Sequence, residues 1–494
     1  NPTGQVDQPD NYEYCDGDTA VVDFTTSNTG ANSVTTYSWS IGGDDIGLDA
    51  SIAGDISQQI TNETTDTLTA IVVVTPTYTN DGESCVGPSK EFTIIVSPTA
   101  QVNTIDSIVK CNGEDVAEIV FSTLNTNGTT VYTWTNDTPS INLDASGTGN
   151  ILLFEATNAT NNPVTSTITV TPSYDVTDPL LACEGESITF TITVNPTGQV
   201  EPVVSQVVCN GDLTTVNFAT DNTGGVTPYA WTTSNSNLGL DFGTSDMIFT
   251  AVNEGLVPIS TVITVTPTFT NGVGQCEGSS ETFTIRINPT GQVNPIDDLF
   301  ICNGEAIDII FSTDNDPSVG ITSYSWSSNT EIGQLGLDSG NMNFEADNDG
   351  VNPITALFTV IPTYTNNGVS CTGPEETFSI TVNPNAEMTT PDNIVLCNNT
   401  DSEVIIFSSQ STTGTTTYTW TNNTPLIGLP ESGIGNLPVF TSFNNTTEPI
   451  IATIVATPTF QNGGVNCSPP EATFTITVNP TGQVEPVASQ VVYN

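Results

Sequence analysis

Ten cysteines recur at two matched positions: Cys15, Cys111, Cys209, Cys302 and Cys397 at one, and Cys85, Cys183, Cys276, Cys371 and Cys467 at the other. Zinc sites draw on CxxC-like clusters and histidine. Here the nearest cysteines are 26 residues apart and the chain has no histidine, so disulfides are expected, formed in an oxidising compartment. With no histidine and only Lys90 and Lys110 as lysines, imidazole bases, Schiff-base amines and Lys-Asn isopeptide bonds are missing or nearly so. A glycoside hydrolase needs just two acids, but with 12% of residues charged in a Thr/Asn/Ser/Gly-rich chain, the acids read as a solvated skin. No catalytic residue is expected, and the chain is not read as an enzyme.

The 55 acidic residues face three basic ones, for a formal net charge of -52. Lys90, Lys110 and Arg286 cannot build the basic surface that nucleic acid or anionic lipid requires. No apolar run approaches the length of a spanning helix, so no membrane insertion is expected.

The cysteines belong to a longer period. Asn-Pro-Thr-Gly-Gln-Val opens the chain at Asn1 and returns at Asn195, Asn288 and Asn479, with variants from Ser97 and Asn383, so that successive starts lie 96, 98, 93, 95 and 96 residues apart. That period is too long for a solenoid turn and fits a self-sufficient β-sandwich of about 100 residues. The domains are expected at 1–96, 97–194, 195–287, 288–382 and 383–478, with 479–494 opening a sixth.

Every repeat orders its features alike. After the first cysteine comes an alternating strand ending in Phe (Phe24, Phe121, Phe218, Phe311, Phe407), then Tyr-x-Trp with Trp39, Trp134, Trp231, Trp326 and Trp420 read as core. A strand of the type Ile263-x-Val265-x-Pro267-x-Phe269 follows, its proline expected near the strand's end or at a bulge. The last strand alternates cleanly, as in Phe378, Ile380 and Val382, with one face buried and one wet. The Thr-rich wet faces are read as strand propensity in preference to an ice-binding surface. No helix is expected, and the fold class is all-β, a linear array of immunoglobulin-like sandwiches.

The junctions lack the Gly/Ser tract of a flexible tether and carry proline, which predicts an end-to-end rod. At about 3.3 Å per strand residue, domains are roughly 40 Å long and the fragment on the order of 200 Å. A second period is visible as well: residues 195–210 and 479–494 differ at two positions only, and TYTWTNNTP from Thr417 echoes VYTWTNDTP from Val131. This predicts a duplicated three-domain unit.

Spacing bears on the cysteine pairing. Within a repeat the two cysteines are 67 to 72 residues apart, whereas across each junction the separation is always 26. In an immunoglobulin-like topology the first cysteine sits at the C-terminal pole and the second at the N-terminal pole, while a disulfide needs Cα atoms within about 7 Å. The favoured set is therefore Cys15 with Cys183, Cys111 with Cys276, Cys209 with Cys371, and Cys302 with Cys467, leaving Cys85 and Cys397 to pair beyond the fragment. The intradomain set, Cys15 with Cys85 and so on, stays open. Either closes long loops, worth about 4 to 5 kcal/mol each in the chain-entropy model. Tension then runs through 26-residue segments that span about 86 Å and are almost taut. Tyr493 holds the first-cysteine position of the sixth repeat.

No cofactor is expected. Calcium is the one candidate, with Asp347 and Asp349 as weak ligands around Asn348, in a cluster without EF-hand spacing. Sequons such as Asn62-Glu-Thr and Asn136-Asp-Thr are what an Asn/Thr-rich chain produces by chance.

The order Cys-Asn-Gly, Tyr-x-Trp, Thr-Pro-Thr-Tyr, Cys-x-Gly and Val-Asn-Pro resembles the PKD-like and related immunoglobulin-like repeats of giant Bacteroidetes surface proteins of the SprB-type gliding-motility adhesin family. The resemblance covers the whole chain, although the tryptophans are not followed by the Asp-Phe-Gly-Asp of ordinary PKD domains. It implies type 9 secretion, display as a long surface filament, and O-glycans at Asp-Ser/Thr-aliphatic sites, here Thr19, Thr67 and Ser107. The expected role is a force-transmitting rod segment at the cell surface, its partners being neighbouring repeats and, through modules outside the fragment, surface or glycan ligands. Alternatives are a calcium- or glycan-binding array and a spacer of a secreted enzyme.

Overall fold

The computed structural model describes residues 1–49, 53–175, 183–238, 240, 242–334, 336–468 and 470–487. The first repeat contains β1 (Tyr12–Cys15), β2 (Thr19–Val22), β3 (Ser33–Gly43), β4 (Ile56–Gln59), β5 (Leu68–Asn80), β6 (Glu83–Val86) and β7 (Lys90–Ser97). One sheet runs β1-β7-β5-β3 with β6 added beside the end of β5, and β2 pairs β4 as a two-stranded ribbon. All pairs are antiparallel except β1 with β7, which are parallel. The other four repeats keep this arrangement and add a short edge strand beside the tryptophan strand, the ribbon of the fifth being reduced to the isolated bridges Asp401↔Thr441 and Ile405↔Leu437. The chain is thus a linear array of immunoglobulin-like β-sandwiches.

Period-two alternation builds the core. In β5, Ala70, Val72 and Val74 are fully buried while the alternate residues Thr69 and Ile71 face out, and the five tryptophans lie in five separate cores. Opposite three of them the ladder partner is glycine: Trp134↔Gly147, Trp231↔Gly243 and Trp420↔Gly433. A Cβ there would meet the indole at 2.2 to 2.5 Å, so glycine is what lets the ring lie across the sheet.

Pro76 lies inside β5 and beside a bulge, as expected: the register runs from Val74↔Lys90 to Thr77↔Val86, so Pro88 and Ser89 together face Thr75. Its carbonyl accepts from the Gly87 N–H at 2.9 Å, on the side where β7 has left the ladder and β6 has yet to join. The missing donor therefore faces a gap between two partner strands, as at Pro172, Pro267 and Pro362. One expectation is corrected, the absence of any helix: the array contains single 3₁₀ turns at Pro139–Ile141, Ser236–Leu238 and Pro425–Ile427. The outer two are closed by left-handed Asn142 and Gly428 and anchored by buried Ile141 and Ile427.

One buried asparagine per repeat closes the C-terminal pole: Asn62, Asn158, Asn253, Asn348 and Asn444. Its Nδ2 donates to the penultimate carbonyl of the last strand (Val96, Val194, Ile287, Val382, Val478) at 2.7 to 2.8 Å, and to the carbonyl four residues ahead of itself. Its backbone N–H donates to a side chain just after the first cysteine (Asp16, Asn112, Asn210, Asn303, Asn398). The sequon-like Asn62-Glu-Thr64 is thus built for structure, the threonine hydroxyl donating to Asn62 Oδ1 at 2.7 Å, and the same contact recurs at Thr160 and Thr446. Asn136 is buried too, with Nδ2 on Leu143 O at 2.8 Å.

Asn253→Ala strips partners from the Val257 and Ile287 carbonyls and is expected to cost repeat 3 about 2 to 3 kcal/mol. Native-state amide exchange reads this as loss of protection through repeat 3, with repeats 1 and 5 unchanged.

Candidate functional site at the domain junctions

The parallel register of the first and last strands brings each first cysteine opposite the residue that opens the next linker: Cys15↔Ser97, Cys111↔Asn195, Cys209↔Asn288, Cys302↔Asn383 and Cys397↔Asn479. That rung is the C-terminal pole. The second cysteine sits on the hairpin beyond the far end of β5 or its counterpart (Tyr78↔Cys85, Phe269↔Cys276), at the other pole. The structure joins Cys15 to Cys183, Cys111 to Cys276, Cys209 to Cys371 and Cys302 to Cys467, with Cα–Cα distances of 5.3, 5.4, 5.4 and 5.6 Å. The intradomain set is not formed, because it would have to span the sandwich. Cys85, half-buried, and exposed Cys397 are free thiols.

The linker runs beside each bridge and docks on the hairpin that carries the receiving cysteine. Gly198 N–H donates to Cys276 O at 2.9 Å, and Gly4 and Gly291 do the same to Cys85 and Cys371 at 3.1 Å. The glycine of Cys-x-Gly is required by this approach: a Cβ on Gly87, Gly185, Gly278 or Gly373 would lie 1.6 to 1.7 Å from the carbonyl oxygen of Gly4, Ala100, Gly198 or Gly291. Its counterpart in the fifth repeat, Pro469, lies outside the described residues. A small apolar cluster covers the bridge where the linker residue is alanine: Ala100, Tyr174, Cys183 and Cys15 at one junction, and Cys302, Ala386, Phe460 and Cys467 at another.

A second set of contacts crosses every junction. The loop held by the buried asparagine receives an N–H from the next domain: Thr126 N donates to Thr65 O, Thr223 N to Asn161 O, Asp316 N to Leu256 O and Thr412 N to Asn352 Oδ1, at 2.9 to 3.4 Å. Beside the bridge, the linker asparagines pair with the next domain as well. Asn271 Nδ2 donates to Asn195 Oδ1 at 2.7 Å, Asn462 Nδ2 to Asn383 Oδ1 at 2.9 Å, and Asn288 Nδ2 to Asn366 O at 3.1 Å. These asparagines and the loop held by the buried asparagine carry no signal in a single sequence beyond their recurrence at equal offsets.

Thr19 and Ser107 are exposed, whereas Thr67 is half-buried at a junction, its Oγ1 3.1 Å from Tyr174 OH of the next domain. A glycan on Thr67 and that contact exclude one another. Asp347 and Asp349 are exposed on either side of buried Asn348, whose amide is committed to Val382 O and Asn352 O. Among the described residues no group of three or more His, Cys, Asp or Glu is placed to hold a metal ion, and no helix is long and apolar enough to cross a membrane. Tyr493 lies outside the described residues.

A side chain just before the first strand also ties that strand to the last one. Ser379 N–H donates to Asp298 Oδ1 at 2.7 Å, and this bond holds the Asp298 carboxyl below the usual carboxylate range. In repeats 1 and 5 neutral Asn11 and Asn393 take its place, accepting from Thr93 and Thr475.

No family model and no curated protein matches the chain. Among solved structures it is similar to the human Desmocollin-1 ectodomain (12% identity, 97% of this chain and 99% of that one, TM-score 0.24). It is also similar to Sidekick-1 immunoglobulin domains 1–5 (12%, 97% and 100%, TM-score 0.22) and Drosophila N-cadherin EC1-4 (12%, 76% and 99%, TM-score 0.23). At these scores the likeness carries nothing about what the chain does.

Two outcomes follow from the junction geometry. Gly278→Val is expected to push the linker off its hairpin, so that the Gly198 amide exchanges at least tenfold faster while the cores of repeats 2 and 3 stay protected. A carboxyl lowered by folding stabilises above its ordinary range and stops doing so as pH falls through its folded value. Acidification should therefore expose the Ser379 amide and leave those of Thr93 and Thr475 protected, as amide exchange at stepped pH would show.

Proposed function

We propose that the chain is a stiff, force-transmitting shaft segment of an extracellular cell-surface adhesin. The observation that carries this reading is that each of the four junctions is crossed by a disulfide and a docked peptide linker side by side, with a hydrogen-bonded loop contact as a further leg. Such a junction resists both bending and stretching, which a set of tethered binding modules does not need. Four disulfides point to an oxidising, extracellular setting. A net charge of -52 keeps neighbouring shafts apart at separations near the Debye length of about 8 Å.

On this reading adhesive ligands are met by modules outside the segment, and Cys85 and Cys397 pair with the corresponding cysteines of flanking repeats. The resemblance to gliding-motility adhesins supports a moving surface filament exported by the type 9 system, with Thr19 and Ser107 as the accessible O-glycan acceptors. Calcium is not needed for stiffness, because the junction contacts join protein groups directly.

Electron micrographs of the isolated chain are expected to show straight particles on the order of 200 Å long, unchanged by a calcium chelator. Particles bent freely at the junctions would overturn the shaft, and collapse on chelation would favour the calcium-dependent array.

A further inference from the structure

Resting on the shaft reading, we propose that the disulfides resolve the single chain into two continuous covalent threads, so that loss of any one bridge lengthens the shaft's covalent limit by about 26 residues at most. The first thread passes through Cys15–Cys183, residues 183–209, Cys209–Cys371 and residues 371–397. The second takes residues 85–111, Cys111–Cys276, residues 276–302, Cys302–Cys467 and the last strand of the fifth repeat. The two share no residue between the cysteines of the terminal repeats.

Inside every middle repeat the threads lie side by side. In repeat 2 the first thread is the last strand, Ile188–Asn195, and the second is the first strand, Ile108–Cys111; in repeat 3 they exchange places, Gln206–Cys209 against Glu281–Asn288. Each pair is parallel, so tension pulls both strands the same way and does not slide one along the other. At each junction one thread crosses as peptide and the other as disulfide, both leaving from one rung. At the junction of repeats 2 and 3 these are Asn195 to Gly198 and Cys111–Cys276, and they meet again where Gly198 N–H reaches Cys276 O. At the next junction the roles are reversed, with Cys209–Cys371 beside Asn288 to Gly291. The remaining strands of each middle repeat, such as residues 111–183, run from one thread to the other and cross-link them.

From one chain end to the other, each thread provides a covalent route of about 160 residues, the two equal to within a few residues. Breaking one bridge interrupts one route and leaves the other whole. The test holds the wild-type oxidised chain by its ends at constant force in a thiol reductant. The length limit should start near about 140 extended residues, because the shortest route changes threads through the body of repeat 4, from Cys371 back to Cys302; the first reduction adds about 26 residues at most, and steps of more than about 100 residues come only after a lag. Large steps arriving single-exponentially, with no lag, would overturn the proposal.

Substitution provides an independent arm. The pair Cys15→Ser with Cys183→Ser, and the pair Cys302→Ser with Cys467→Ser, should each lengthen the limit by only about 26 residues, on the order of 90 Å. All four together should add about 165 residues, on the order of 600 Å. Lengthening by more than about 100 residues from either pair alone, or by no more than about 26 from all four, sinks the threads. Bent particles in micrographs together with a lag under force would sink the shaft and leave the threads standing.

Discussion

Everything at the junctions depends on one piece of strand pairing, the parallel ladder between the first and last strands of each sandwich. Its final rung sets a cysteine beside the residue that begins the next linker, as in Cys111↔Asn195. A parallel pair is required for this: only strands running the same way end at the same pole. Had the first strand paired antiparallel, its cysteine would face the start of the last strand, at the pole where the preceding domain sits. The two covalent links to the next domain would then leave from opposite ends of the sandwich.

The pole that emits both links is held by polar groups in an otherwise apolar sandwich. Buried amides such as Asn253 satisfy the last strand's carbonyl and fix the loop that the next domain touches. An amide is suited to this place because it can both donate twice and accept at a site where the backbone cannot close its own ladder. The result couples domain folding to junction geometry: the residue that caps one sandwich also shapes the surface on which its neighbour rests. The Cys-x-Gly glycine does the same from the other side, since Gly278 is small only because the linker backbone lies against it.

The acidic surface and the lack of histidine fit a structural part. The array holds its shape through disulfides, carbonyls and amides, none of which changes charge between mildly acidic and mildly alkaline pH. Where a carboxylate does take part, as at Asp298, the hydrogen bond it accepts from the Ser379 amide lowers its pKa and favours the ionised form.

Much of the array was legible in the sequence alone. The period near 95 marked the domains, alternation marked the strands and their buried faces, and the invariant spacing of 26 marked the junction as fixed in length. These features repeat along the chain and depend on side-chain period, which is local. What only the tertiary structure decided were matters of contact between distant segments. The pairing of Cys111 with Cys276 across 165 residues depends on which pole each strand end reaches. Pro76 inside a long strand depends on where its neighbour leaves the ladder, and the burial of Asn62 depends on a carbonyl 34 residues away. The sequence by itself determined which residues recur and at what spacing; the fold decided which of them meet, because strand direction and register bring separate segments to the same pole.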